Sequence, residues 1–115
     1  MSRSVEGWAR GARLRADGAG RARVEGVLDF ESVSPLLVAG EALLKGTGPQ
    51  GGRLAIDLGG VTSANSAGLA LLLEWLDLAR SRRVDLRYLN LPESLVRIAD
   101  FSNLQTLFPT APAGA

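Results

Sequence analysis

The sequence predicts an α/β fold, a single domain with a mixed β-sheet of about four strands and helices packed on it, in the order ββαβαβα. Three observations carry the prediction. Segments of period two or of short apolar character alternate with longer segments of helical period, and that alternation builds mixed sheets. Clusters of Gly, Pro, Asp and Asn punctuate the segments. The 115 residues have room for one core.

Residues 1–10 are assigned to a flexible N-terminal segment and 11–108 to the domain. Within it, "ARLRA" and "RARVEGV" alternate arginine with small or apolar residues, which is the strand signal. "DGAG", Asp17 to Gly20, supplies the positive-φ residues a tight hairpin turn needs. The arginines Arg13, Arg15, Arg21 and Arg23 read as a solvated sheet face rather than a basic patch.

A first helix follows in "FESVSPLLVAGEALLKG", with Ser32 or Ser34 as its N-cap, Pro35 in the first turn and Gly46 past the end. The Gly-rich "GTGPQGGR" then invites a phosphate-binding reading. Gly46 and Gly51 have the spacing, but Gly52 and Arg53 stand where a Lys and a hydroxyl residue belong. The loop also precedes a strand, whereas a phosphate loop follows one. It reads as a connection.

An apolar strand, residues 54–58, comes next, followed by small and polar residues and a helix from about Ser66 to Arg82. "DLRYLNL" gives a fourth strand, and "PESLVRIADFSNLQTLF" a third helix opened by Pro92 and Glu93. "PTAPAGA", residues 109–115, is a tail of disordered composition. No internal repeat is visible.

Composition narrows the function. With no Cys and no His, disulfides, thiolate chemistry, a Ser–His triad and the usual zinc sites are excluded. Carboxylates, Lys45 and Tyr88 remain, and none form a pair at motif spacing. No catalytic residue, cofactor or metal ligand is therefore assigned. The net charge of +1 supplies no global pull toward nucleic acid or an anionic membrane. The N-terminus lacks a signal-peptide stretch and residues 58–73 are too short and polar to span a bilayer. A cytoplasmic protein is expected.

The functional signal lies in "NSAGLALLLEWLDLAR". Asn65 and Ser66 are good capping residues for the long helix. Ala67 and Gly68 are small enough to allow close approach of another protein. A helix N-terminus also favours anions, so a phosphoryl group on Ser66 would be tolerated. Leu69, Leu72, Leu73 and Leu76 form the core stripe, while Leu71, Trp75 and Leu78 form a second apolar group. Together the groups sweep about 220° at 100° per residue, where packing on a sheet needs a stripe somewhat over ~100° wide. Either the third helix or the N-terminal segment covers the surplus, or a partner does. The partner is the favoured reading, with Leu71 and Trp75 extending a docking surface whose tip is Asn65, Ser66, Ala67 and Gly68.

"LAIDLGGVTSANSAGLALLLEWLDLAR" resembles the signature of STAS domains, the sulphate transporter and anti-sigma factor antagonist family. Asp57, Leu58, Val61, Ser66, Gly68 and Leu69 match its strand-to-helix pattern, and "GVLDFESV" sets Asp29 on the acid of its "GELD" segment. Within the family, "GLALLLEWLDLARSRRVDLRYLNLPESLVRIADFSNL" is similar to the Mla-type subunits. That resemblance implies a non-catalytic accessory subunit. It would bind the ATPase of an ABC transporter that, with an inner-membrane permease, moves phospholipid to maintain outer-membrane lipid asymmetry. The protein would then be cytoplasmic and peripheral to the inner membrane through its partner, with Ser66 at the ATPase interface. In anti-sigma factor antagonists the matching hydroxyl is phosphorylated beside an acid. Asn65 stands where that acid usually is, which weakens the phosphoswitch and leaves docking intact.

Overall fold

The computed structural model describes residues 6–9, 11–17, 20–46 and 52–101. Eight elements follow one another: β1 (Glu6–Ala9), β2 (Ala12–Ala16), β3 (Arg21–Leu28), α1 (Val33–Gly46), β4 (Arg53–Ala64), α2 (Ser66–Ser81), β5 (Asp85–Leu89) and α3 (Glu93–Phe101). The strands form one sheet in the order β1-β2-β3-β4-β5. β1, β2 and β3 pair antiparallel, and β3, β4 and β5 pair parallel through the α1 and α2 crossovers. The α/β class and the mixed sheet stand as the sequence predicts.

Two local expectations change. Part of the segment assigned as flexible, Glu6–Ala9, is a fifth strand; its register sets Glu6 opposite Arg15 and Trp8 opposite Arg13. Four residues, one of them glycine, carry too little pattern to announce a strand; only pairing with β2 defines it. The strand expected at 54–58 continues to Ala64, through Gly59 and Gly60. Parallel pairing of Gly60 with Glu25 and of Ala64 with Leu28, across two register shifts, holds this glycine-rich stretch in the sheet. The expected connection at 47–51, the end of the third helix beyond 101 and the tail lie outside the described residues.

Period two decides which sheet face is dry. Ala12, Leu14 and Ala16 of β2, Ala22, Val24 and Leu28 of β3, Leu54, Ile56 and Leu58 of β4, and Leu86 and Tyr88 of β5 are all buried. Their neighbours in sequence face the other way and are mostly charged or small. The helices lie on the dry face, so the domain has two layers. α1 covers the β1–β2 side, α2 packs beside it over β4 and β5, and α3 closes against α2 and β4. The Tyr88 hydroxyl donates to the carbonyl of Leu72 at 2.7 Å, which ties β5 to α2. Burial pushes the Tyr88 phenol well above its ordinary pKa, because the anion would lose its hydration. Among the described residues no helix is long and apolar enough to cross a membrane.

Candidate functional site

The site is built where β4 ends and α2 begins. The Asn65 backbone N–H donates to the Leu28 carbonyl at 3.1 Å, which anchors the turn to the end of β3. Its side-chain Oδ1 accepts from the N–H of Ala67 at 2.9 Å, and its φ of −112° and ψ of −166° are those of an extended N-cap. The predicted cap is therefore present. It consumes one of the orphan amides of the first turn and leaves the Ser66 side chain exposed beside it.

The two small residues that follow differ from expectation. Ala67 is 6% exposed, and Gly68 is buried. A Cβ on Gly68 would lie 2.9 Å from the Leu28 Cβ, closer than two carbons tolerate. Gly68 lets α2 settle on the end of β3; its smallness serves the interior and not a visitor. Ala67 instead borders a groove.

The larger correction concerns Trp75 and Leu71. Trp75 is 0% exposed and Leu71 3%, so neither extends a surface along the helix. The cover is α1: a Cβ on Gly40 would collide with the Trp75 indole. α1 therefore meets α2 at a glycine, and the indole fills the notch that a side chain there would take. Among the described residues its N–H finds no acceptor. The surplus arc of α2 is filled from within, by a helix other than the two covers weighed from sequence.

What remains outside is a groove between the same two helices. One wall is Phe30, Val33, Ser34 and Leu37; the other is Ala67, Ala70, Leu71 and Glu74; the volume is about 290 Å³. Ala67, Ala70, Leu71 and Glu74 share one face of α2, and Val33, Ser34 and Leu37 one face of α1, with Phe30 in the turn before it. Phe30, 74% exposed, stands at the rim, and exposed Ser66 immediately precedes Ala67 in the chain. Leu71 thus contributes to the site as part of its lining. Phe30, Val33 and Leu37 were missed as site residues: from sequence Leu37 belongs with the apolar residues that face the core, and Phe30 and Val33 were not singled out.

Asp29 positions this rim. Its Oδ1 accepts from the N–H groups of Glu31 and Ser32 at 3.0 and 3.1 Å. Buried Ser32 returns the bond, its Oγ accepting from Asp29 N–H at 3.0 Å and donating to the Val27 carbonyl at 2.9 Å. Asp29 and Ser32 therefore lock the β3–α1 turn that presents Phe30. Asp57 likewise holds structure. Its Oδ1 accepts from the N–H of Gly59 at 2.7 Å and the Asn90 amide at 3.1 Å, and its Oδ2 meets Arg23 at 3.4 Å. Partial burial pushes its pKa up. The Asn90 and Gly59 hydrogen bonds, with the Arg23 and Arg21 charges, outweigh that and lower it below the ordinary 3.8. Among the described residues no group of three or more carboxylates gathers that could hold a metal.

Comparison with known proteins agrees with this layout. A family model described as "Mlab, STAS domain" matches residues 12–109. A chain of the Acinetobacter MlaFEDB complex, in its ATP-bound Vtrans2 conformation, superposes with a TM-score of 0.66 at 27% identity, covering 81% of this chain and 95% of that one. An anti-sigma factor antagonist from Mycobacterium paratuberculosis superposes with a TM-score of 0.67 at 20% identity, covering 96% and 85%, and so shares the fold. No curated protein matches the sequence significantly. Mixed sheet, capped strand-to-helix turn and family match converge: the chain belongs to the STAS domain family, in its MlaB group.

Proposed function

We propose that this protein is a non-catalytic accessory subunit that docks on the ATPase of an Mla-type ABC transporter, in a complex with an inner-membrane permease that moves phospholipid. The observation that carries the reading is the open apolar groove between α1 and α2, lined by Phe30 and by Ala67 of the capped helix start; exposed Ser66 precedes Ala67 in the chain. The resemblance to a chain of the MlaFEDB complex supports the class of partner. Asn65, Ser66 and Ala67 form the tip and Leu71 the lining. Gly68 and Trp75 act by holding the two walls in place. The work of the subunit is recognition, done on the cytoplasmic side and peripheral to the inner membrane through its partner.

Co-purification with the ATPase tests this. Phe30→Asp sets a charge at the apolar rim, and Ser66→Arg sets a cation against the positive end of α2 and blocks approach. Both residues are exposed, so both variants should fold. Each should weaken assembly by about 2 kcal/mol or more, as for a central anchor. Strong co-purification of both folded variants would overturn the reading. The second reading, an anti-sigma factor antagonist phosphorylated on Ser66, has the exposure of Ser66 in its favour. Stoichiometric phosphoserine at Ser66 in cells would promote it; Asn65, which caps without charge, argues against it.

A further inference from the structure

The layer opposite the groove carries a different chemistry. On the open face of β2 to β5 stand Arg13, Arg15, Arg21, Arg23, Arg53 and Arg87, against the acids Glu25, Asp57 and Asp85. Six guanidiniums against three carboxylates leave an excess of three positive charges among these strands. The helical layer and its connections hold Asp29, Glu31, Glu41, Glu74, Asp77, Glu93 and Asp100 against Lys45, Arg80, Arg82, Arg83 and Arg97, an excess of two negative charges. A net charge of +1 hides this separation.

The basic face also has a centre. Register sets Arg21 and Arg87 on either side of Ala55, one strand away each, with Arg53 two residues before Ala55 on the same strand. Strands about 4.8 Å apart put the Arg21 and Arg87 backbones roughly 10 Å from each other. Side chains of that length can converge above the small Ala55 methyl. All three arginines are exposed. Asp85 meets Arg87 through its Nε, at 3.2 Å.

We propose that this face is a second docking surface, taking an acidic polypeptide segment of a partner protein, with its carboxylates seated over Ala55 between Arg21, Arg53 and Arg87. Guanidinium forks match carboxylates in a bidentate way. The interleaved acids decide the class of occupant. A peptide can seat discrete carboxylates over selected arginines, whereas a continuous anionic layer such as a lipid surface would also lie over Glu25, Asp57 and Asp85 and be repelled there. The proposal is independent of the groove.

The test uses the full chain and a fluorescent peptide of alternating glutamate and serine, with the glutamine–serine peptide and anionic phosphatidylglycerol vesicles as comparison probes. Anisotropy should show binding of the glutamate peptide alone, weakening as salt rises. Arg21→Glu/Arg87→Glu should weaken it at least about tenfold, as should Ala55→Glu, whose carboxylate occupies the cradle. Lys45→Glu/Arg97→Glu makes the same change in net charge on the helical layer and should leave binding within about twofold. Thermal melts establish that each variant folds. Absence of peptide binding, preference for the vesicles, or equal loss in the helical-layer variant would each overturn the proposal.

Discussion

Ser66 is presented by its neighbour. Asn65 fixes the turn with its backbone and caps α2 with its side chain, so Ser66, the first helical residue, is left exposed to solvent. Asn65→Ala should lower stability by about 1 kcal/mol, read as a fall in Tm, because the Ala67 amide loses its acceptor. Asn65→Asp keeps the acceptor and adds a charge at the positive helix end, so its Tm should match or exceed that of the parent. Asp57 makes a second residue-scale prediction. Its pKa is lowered in the folded state, so its contribution to stability is present above the unfolded carboxylate value near 3.9. It is lost as pH falls through the folded value. Asp57→Asn should therefore cost stability at pH 7, and the gap between variant and parent should close below about pH 4. Urea denaturation at both pH values measures this; a gap independent of pH would rule out the charge as its source.

At the scale of elements, the contact of α1 with α2 is decided by Gly40 and Trp75. Trp75→Ala should cost about 3–5 kcal/mol by urea denaturation, since a buried indole leaves a cavity. Gly40→Ala adds a methyl where the indole sits and should cost about 1–3 kcal/mol through forced displacement of the helices. If Trp75→Ala lost no stability, the indole would not be packed in the notch. These elements also mark how far the sequence could be read. The helices, the β2–β3 hairpin, the Asn65 cap and the mixed character of the sheet followed from periodicity and punctuation, which are local. The fate of the surplus apolar arc was not local. Helical period states which residues of α2 share a side, and only the approach of α1 at Gly40 states what covers them. Glycine inside a helix reads as a weak spot until its neighbour is known. β1 and the far half of β4 were missed for the same reason: Gly59 and Gly60 have turn composition, and pairing with β3 overrides it.

At the scale of the molecule, the two layers divide their chemistry. The groove is lined mainly by Phe30, Val33, Leu37, Ala70 and Leu71, so association there rests on apolar burial and should change little with ionic strength. The sheet face should show the opposite dependence. Measuring ATPase assembly across a salt series therefore assigns it to one layer, and a steep loss with salt would count against the groove. The protein alone is also expected not to bind ATP, because Gly52 and Arg53 replace the Lys and hydroxyl of a phosphate loop. Micromolar binding by calorimetry would overturn that expectation.

The buried indole gives the molecule an optical reporter. Trp8 and Trp75 are its only tryptophans, so Trp8→Phe leaves one. Trp75 is 0% exposed, so it should emit at short wavelength in the native state and shift to the red on unfolding. Its position beside Leu71 places it one layer beneath the groove, so an occupant that spreads or tightens α1 against α2 would alter the emission without any added label.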